Sequence, residues 1–362
     1  MAKRKMRNVF ITGIFRSGTS LLSTCLNAHE NVIIAWQPYW LFFKASRNKF
    51  FSELLRKPLD VNYPMGMLQF TSENERCLFR DIFSLLKFNG AKLSSLISQI
   101  RDYLGFEEEK INRDMKPTNL LNYLHGLESG TAGHILFQLM KRLYLSERNT
   151  YGANKENIDI VGIKEVFCEE YIEPILKYQG LDSAVLHIIR DPRAVVASRN
   201  YGKYMEATGS RYPIFFIIRS WRRTVANYLS NKDKENYLMV RYEDLVSQPG
   251  EIMNQICRAL ELPFSEDMLN FSMFRNSRGG QWQSNTSFED TESINTLSIE
   301  KWKNILQPDE IEVIEYFCQS ELRLMGYEIM TKCFDVERIS NFHEDMTHVK
   351  DWLRQYDFRE DA

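Results

Sequence analysis

Short runs of β-branched and apolar residues recur along the chain, and several are followed by stretches with helical periodicity. The predicted strands are Val9–Phe15, Val32–Trp36, Ile158–Val166, Ala184–Arg190 and Tyr237–Tyr242. The predicted helices are Ser17–Ala28, Arg193–Tyr204, Pro213–Ser230, Gly250–Leu260 and Pro308–Leu324. Strands that alternate with helices are typical of βαβ units, so the pattern predicts an α/β fold built on a doubly wound parallel sheet.

The segment between the second and third predicted strands lacks this alternation. Residues 38–157 are rich in aromatic residues and show helical periodicity without a βαβ pattern. We therefore expect a mostly helical cap there, inserted into an α/β core that comprises residues 9–37 and 158–306. Residues 1–330 are predicted to form a single domain, followed by a polar tail over residues 331–362.

Charge and cysteine content exclude several classes of protein. The 46 Lys and Arg residues nearly balance the 48 Asp and Glu residues, which excludes a global basic field and a nucleic-acid partner. The six cysteines are scattered without CxxC spacing, so we expect reduced thiols and a cytoplasmic location, with no zinc site. No apolar run reaches 18 residues, so no membrane span is predicted. The oligomeric state stays open.

The first predicted strand runs directly into a glycine-containing turn, residues 16–20, at the start of the first predicted helix. Backbone N–H groups in such a turn form a cradle for an anion. Compared with the Walker A pattern GxxxxGK[ST], the segment keeps Gly13 and Gly18 but has Thr19 where the lysine belongs. The cation is Arg16, inside the loop. The turn therefore predicts a phosphate site without the lysine of an ATPase or kinase.

A second candidate anion site follows the strand that ends at Arg190. Pro192 stands where the first turn of a helix tolerates proline, and Ser198 lies eight residues after Arg190. The arginine at the strand end and the serine on the next helix can converge on one phosphate.

Together the two segments resemble the phosphosulfate loop and the 3′-phosphate motif of sulfotransferases that use 3′-phosphoadenosine 5′-phosphosulfate (PAPS). The resemblance is closest to the Arg-Ser-Gly-Thr branch, which includes carbohydrate and tyrosylprotein sulfotransferases. Residues 241–245 (Arg-Tyr-Glu-Asp-Leu) and the pair Lys301-Trp302 are similar to two further family segments. The resemblance covers about residues 9–306 and implies a P-loop-NTPase-like sulfotransferase fold. It also implies an enzyme that moves a sulfuryl group from PAPS and releases 3′,5′-ADP (PAP).

The same resemblance implies which residues contact the nucleotide. The implied ligands of the 5′-phosphosulfate are Arg16, Ser17, Gly18, Thr19 and Ser20. The implied ligands of the 3′-phosphate and the rest of the nucleotide are Arg190, Ser198, Tyr242, Thr286 and Lys301. No metal is expected, because a monoanionic sulfonate needs less neutralisation than a γ-phosphoryl group.

The sequence offers a catalytic lysine, but the position expected to hold the general base does not carry one. Lys164 ends a central strand, where the family has a lysine that contacts the bridging oxygen or the sulfonate. Gln37 matches the glutamate base of tyrosine-sulfating relatives, but an amide cannot take a proton. The candidate substitutes are Glu165, which strand alternation points away from Lys164, and two histidines of the cap, His125 and His134.

The acceptor is expected to be a small molecule that offers a hydroxyl or an amine. The aromatic-rich cap favours a partly apolar acceptor, such as a secondary metabolite or phenol, and a sugar stays open. Two alternatives remain. One is a P-loop phosphotransferase, which Thr19 disfavours, and the other is a catalytically inactive nucleotide-binding protein, which Gln37 would explain.

Overall fold

The computed structural model describes residues 7–59, 70–105, 117–147, 157–276, 279–284, 287–288, 292–356 and 358–359. Thr286 lies outside these described residues. None of the helices in these ranges combines the length and the apolarity that a membrane span requires.

A five-stranded parallel sheet forms the centre of the molecule. In chain order the strands are β1 (Arg7–Gly13), β2 (Val32–Trp36), β3 (Lys87–Phe88), β4 (Gly130–Thr131), β5 (Ile160–Val166), β6 (Ser183–Ile189) and β7 (Tyr237–Arg241). The sheet has the order β2-β5-β1-β6-β7, while β3 and β4 form a small antiparallel pair. The predicted doubly wound parallel sheet is confirmed, with strand ends shifted by at most two residues.

The helices pack on both faces of the sheet. They are α1 (Thr19–Asn27), α2 (Trp40–Lys49), α3 (Glu73–Arg80), α4 (Ile82–Leu85), α5 (Gly90–Gly105), α6 (Ala132–Glu147), α7 (Ile172–Lys177), α8 (Pro192–Asn200), α9 (Lys203–Thr208), α10 (Ile214–Asn231), α11 (Tyr242–Ser247), α12 (Pro249–Ala259), α13 (Pro308–Phe317), α14 (Gln319–Leu324), α15 (Val336–Ser340) and α16 (Asp351–Arg354). Alternation along β1 separates the faces: Ile11 packs with α1, α11 and α12, whereas Phe10 packs with α6, α8 and α10.

The described part of the cap consists of α2–α6, short turns of 3₁₀- and π-helix and the β3–β4 pair. Its aromatic side chains are core residues. Phe42, Phe43 and Phe50 are fully buried, and the Phe43 ring lies 5.6 Å from that of Phe10 on the sheet. The sequence-based expectation that these aromatics favour an apolar acceptor is therefore not supported, because their rings hold the cap to the sheet.

The C-terminal tail packs on the same face of the sheet as the cap. Phe342, Leu353 and Phe358 are buried there, in one apolar cluster with residues of α10. The tail is thus docked against the domain rather than standing apart from it as a polar extension.

Candidate active site

The two predicted anion-binding segments meet at one edge of the sheet. Because β1 and β6 are parallel neighbours, the turns that follow them lie side by side at their carboxyl ends. A cavity opens there. Eight of the residues predicted to bind the nucleotide line this cavity: Arg16, Gly18, Thr19, Ser20, Arg190, Ser198, Tyr242 and Lys301.

The turn after β1 is shaped to leave backbone N–H groups open. Gly18 has a φ of 100°, and a Cβ atom at this position would overlap the Tyr242 ring. Within the described residues no side chain caps the start of α1 at Gly18, so its first N–H groups are available to an anion. Ser17 is fully buried and its Oγ donates to the Ile14 carbonyl at 2.7 Å, so its side chain shapes the turn and does not line the cavity.

The Arg16 side chain links the phosphate loop to the second segment. Its Nε donates a hydrogen bond to Ser198 Oγ at 3.0 Å, and its guanidinium also donates to Ser287 Oγ. The resemblance to PAPS sulfotransferases implies that Arg16 binds the 5′-phosphosulfate and Ser198 the 3′-phosphate. In the structure the two side chains are direct partners, so the two predicted subsites are continuous.

Arg190 holds the phosphate loop in place through hydrogen bonds. It is buried, and its two terminal nitrogens donate to the carbonyls of Arg16 at 2.9 Å and Ser298 at 2.8 Å. Its guanidinium lies 4.2 Å from the Tyr242 ring, whose hydroxyl is 2.6 Å from Ser298 Oγ. Arg190 Nε has no acceptor among the described residues, which leaves one buried donor for an anionic ligand. This fits a phosphate group.

The opposite wall of the cavity is apolar and aromatic. Phe271 and Trp282 line it with ring centroids 5.2 Å apart, next to Val246 and Leu297. An apolar aromatic wall beside cationic loops suits an adenosine nucleotide, which has a flat base and charged phosphates. Sequence reasoning missed Phe271 and Trp282, because they come from short turns and loops without a periodic pattern.

Arg193 was also missed as a site residue. Its guanidinium forms an ion pair with Asp191 at 2.6 Å and another with Glu315, and it lies 4.0 Å from the ring of Trp302. Trp302 adjoins Lys301, which lines the cavity. The second arginine of the Arg-Asp-Pro-Arg segment therefore holds the turn that carries Lys301.

Lys164 lies at the carboxyl end of β5. Its Nζ is 4.8 Å from the centre of the Trp36 ring and donates to Gln37 Oε1 at 3.4 Å. The pKa of Lys164 is lowered to about 8, chiefly by burial; the charge of Glu165 opposes this shift and that of Arg16 adds to it. Gln37 has a φ of 46°, and its N–H donates to the Lys164 carbonyl at 2.8 Å. This backbone contact fixes the amide beside the lysine.

The family follows from a comparison with known proteins. The sequence matches the model of a family described as "Sulfotransferase family" over residues 8–266, well over half of the chain. The chain belongs to the sulfotransferase family. The predicted family is therefore confirmed, and this sulfotransferase carries its phosphate loop and its second anion motif inside the matched region.

Relatives of this sulfotransferase include carbohydrate sulfotransferase 2 from Mus musculus, which is 26% identical over 222 residues, 50% of this chain and 41% of the relative. Carbohydrate sulfotransferase 1 from Danio rerio is 23% identical over 208 residues, 52% of this chain and 49% of the relative. The matches thus span less than half the length of these relatives. Among solved structures, the sulfotransferase domain from the Synechococcus PCC 7002 olefin synthase has a TM-score of 0.49 and 16% identity, covering 91% of this chain and 98% of that one.

The three predicted candidates for a general base lie outside the cavity. Glu165 faces away from Lys164, is fully buried, and its Oε1 accepts a hydrogen bond from the Tyr39 N–H at 2.7 Å. Burial raises the pKa of Glu165 to about 8. His125 is exposed on the cap, and His134 lies 4.0 Å from Glu128. Their positions do not support any of the three as the base of this sulfotransferase.

Metal ligands do not cluster in the part of the chain that the structure describes. No group of three or more His, Cys, Asp or Glu side chains there is arranged to hold a metal ion. A reaction without a metal stays a prediction.

Proposed function

We propose that this chain transfers a sulfuryl group from PAPS to a carbohydrate acceptor and releases PAP. One observation carries the proposal. Arg190, from the second anion motif, donates to the carbonyl of Arg16, in the phosphate loop, across 174 residues of sequence, so the two motifs form one cavity. The family match and the carbohydrate sulfotransferases among the relatives support the activity and the class of acceptor.

The charges of the cavity suit the donor. Arg16, Arg190 and Lys301 all line it, which places three cationic side chains around a space for two phosphate-bearing ends of one nucleotide. The aromatic wall at Phe271 and Trp282 would take the adenine base. A nucleotide with a single phosphate cluster would leave part of this cationic lining without a partner.

Sulfuryl transfer forms a bond between the acceptor atom and sulfur while the bond from sulfur to the 5′-phosphate oxygen breaks. Arg16 lines the cavity, whereas Lys164, on β5, lies outside its lining but near enough to Arg16 for that charge to lower its pKa. Both cations would stabilise the negative charge that develops in the transition state. Lys164 is mostly protonated at pH 7, since its pKa is about 8. We propose that Lys164 donates a hydrogen bond to the leaving oxygen, with Gln37 holding its Nζ in place.

The proton of the acceptor has no obvious base. Among the described residues that line the cavity there is no Asp, Glu or His. We propose that the acceptor attacks without a general base and that its proton passes to water, which favours a nucleophilic acceptor group such as an amine. The reaction thus differs from one that uses the glutamate expected at Gln37.

Among the candidate acceptors, the carbohydrate sulfotransferases found as relatives favour a sugar, while a hydroxyl and an amine acceptor group stay to be distinguished. For the compartment, the cytoplasm remains our proposal, supported by six free cysteines of which four are buried. The sugar acceptor rests on the relatives and the cytoplasmic location on the cysteines, and neither rests on the geometry of the cavity.

The test uses PAPS labelled with ³⁵S and the methyl β-glycosides of glucose, galactose, glucosamine and N-acetylglucosamine. We expect label in at least one sugar product, with PAP released in equal amount. Label in none of them, with PAP still bound tightly, would favour an inactive nucleotide-binding protein. Protection against thermal unfolding by ATP with Mg²⁺ but not by PAP would instead revive a P-loop phosphotransferase.

A further inference from the structure

Phe15 immediately precedes the phosphate loop, and other aromatic rings enclose it. Its ring centroid lies 4.9 Å from that of Phe167 and 5.0 Å from that of Tyr212, with ring planes inclined at 85° and 60°. Phe167 follows β5, and its N–H donates to the Gly13 carbonyl at 3.2 Å. These contacts hold the start of the phosphate loop against the end of β5.

The guanidinium of Arg199, on α8, packs into the same group of rings. It lies 4.1 Å from the centre of the Tyr212 ring and 5.8 Å from that of Phe15. Its Nη1 donates to the Ser210 carbonyl at 2.8 Å, and Arg199 is only 2% exposed. The described wall of the nucleotide cavity includes none of Arg199, Phe15 and Tyr212. Arg199 is therefore placed to act on the loop and not on the nucleotide directly.

The residues on either side of Arg199 contact the same region. Asn200 Nδ2 donates to the Tyr212 carbonyl at 2.9 Å, and Asn200 Oδ1 accepts from the Tyr212 N–H at 3.0 Å. Ser198 Oγ accepts a hydrogen bond from Arg16 Nε at 3.0 Å. The end of α8 thus contacts the phosphate loop directly through Ser198, and through the aromatic rings by way of Arg199.

The backbone of Arg16 depends on contacts of this kind. Its φ is 60°, in the left-handed region that residues with a side chain rarely adopt. Such a conformation persists only where the surrounding structure fixes it. Because Phe15 is the neighbour of Arg16 in the chain, the ring contacts of Phe15 restrict the rotations open to the Arg16 backbone. The Arg16 side chain in turn lines the cavity.

We infer that Arg199 is a positioning residue for the transfer reaction. Through the rings of Phe15 and Tyr212, it holds Arg16 in the conformation that contacts the nucleotide. The planar guanidinium stacks on aromatic rings, whereas the compact ammonium of a lysine offers no such flat surface. The inference rests on the proposed function, since it concerns how Arg16 binds the donor nucleotide.

A double-mutant cycle tests this role, with the dissociation constant of PAP from calorimetry as the readout. We expect Arg199→Lys to weaken PAP binding by about fivefold or more, equivalent to roughly 1 kcal/mol. In the Arg16→Ala background, the same substitution should change the dissociation constant by less than about twofold, because the side chain that Arg199 positions is gone. A merely structural role would weaken binding equally in both backgrounds.

Two further variants complete the experiment. Phe15→Leu removes the ring but keeps an apolar side chain, so it should reproduce the loss and its disappearance in the Arg16→Ala background. It answers the question even if Arg199→Lys fails to fold. The matched control is Arg359→Lys, because the Arg359 guanidinium also packs on a buried ring, 5.0 Å from Phe215, and does not line the cavity. We expect this control to keep the affinity for PAP within about twofold.

The outcomes separate this inference from the proposed function. If the unmodified chain binds PAP and both Arg199→Lys and Phe15→Leu bind it with unchanged affinity, the positioning role is contradicted while the proposed function stands. Losses of equal size in both backgrounds, or a loss that Arg359→Lys reproduces, would also contradict the positioning role. If the unmodified chain does not bind PAP, the proposed function is contradicted, and the positioning role with it.

Discussion

Arg16 Nε and Ser198 Oγ form a hydrogen bond of 3.0 Å that joins two loops separated by 182 residues of sequence. Arg16 belongs to the phosphate loop, and Ser198 belongs to the second anion motif. Their direct contact means that the cationic side chain of the phosphate loop is held toward the second motif, together with Ser287. An anion that enters the cavity meets donors that are already oriented, which lowers the cost of ordering them on binding.

The turn at Gly18 should tolerate no side chain. Its φ of 100° is unfavourable for other residues, and a Cβ atom would overlap the ring of Tyr242. We expect Gly18→Ala to weaken PAP binding by at least about tenfold, or roughly 1.4 kcal/mol, as measured by calorimetry. Gly209→Ala is the matched control, because Gly209 also has a positive φ, of 62°, but has open space around it. Equal losses of PAP affinity in both variants would show that the Tyr242 contact does not matter.

Arg193 should act on the nucleotide through Trp302. Its guanidinium lies 4.0 Å from the indole ring, and Lys301 beside that ring lines the cavity. We expect Arg193→Lys, which keeps the charge but loses the planar stacking surface, to raise the KM for PAPS severalfold and to leave the KM for the acceptor unchanged. Initial rates at varied PAPS and varied acceptor separate the two constants. A matching rise in both would indicate a general loss of structure.

Turnover should fall as the pH rises through about 8. Burial lowers the pKa of Lys164 from its usual value to about 8, so the cation that we assign to the leaving oxygen is present below this pH and lost above it. The profile of kcat against pH should therefore decline above pH 8. Lys164→Met should remove that decline and lower kcat by about a hundredfold or more at pH 7. A flat profile between pH 7 and 9 in the unmodified protein would contradict this role.

Glu165→Gln should keep turnover within about twofold, since the carboxyl lies on the other side of β5 from Lys164 and outside the cavity. Its effect should be on stability. Burial raises the pKa of Glu165 from 4.5 to about 8, so its contribution to stability is fully present below pH 4.5 and is lost as the pH rises toward 8. Thermal unfolding between pH 5 and 8 should show a smaller decline in Tm for Glu165→Gln than for the unmodified protein. A loss of turnover beyond about tenfold, with PAP binding intact, would restore Glu165 as the base.

The sequence predicts the sheet well because four of its five strands, all but the edge strand β7, are largely buried and appear as continuous apolar runs. The bounds of β2, Val32–Trp36, match the prediction residue for residue. By contrast, the predicted helix Arg193–Tyr204 is two helices, α8 and α9, because Gly202 has an extended backbone that starts a new helix. Local sequence patterns thus predict the strands and helices and their order, but they predict less accurately where each strand or helix ends.

The site was predictable where its residues belong to compact motifs. Arg16 and Arg190 each follow a strand and precede a helix, a context that predicts anion sites, and the resemblance to PAPS sulfotransferases implies that both bind the nucleotide. Trp282 and Trp302 gain their roles from partners distant in sequence, such as Phe271 and Arg193. Contacts of this kind leave no local signal in the sequence.

The central claim is that two separated motifs bind the two ends of one nucleotide. Titration calorimetry with PAP tests it most directly, on the unmodified protein, on Arg16→Ala, on Arg190→Ala and on the double variant. We expect tight binding by the unmodified protein, a loss of at least about tenfold in each single variant, and no measurable binding by the double variant. PAP that fails to bind the unmodified protein, or that binds the double variant with unchanged affinity, would contradict the account.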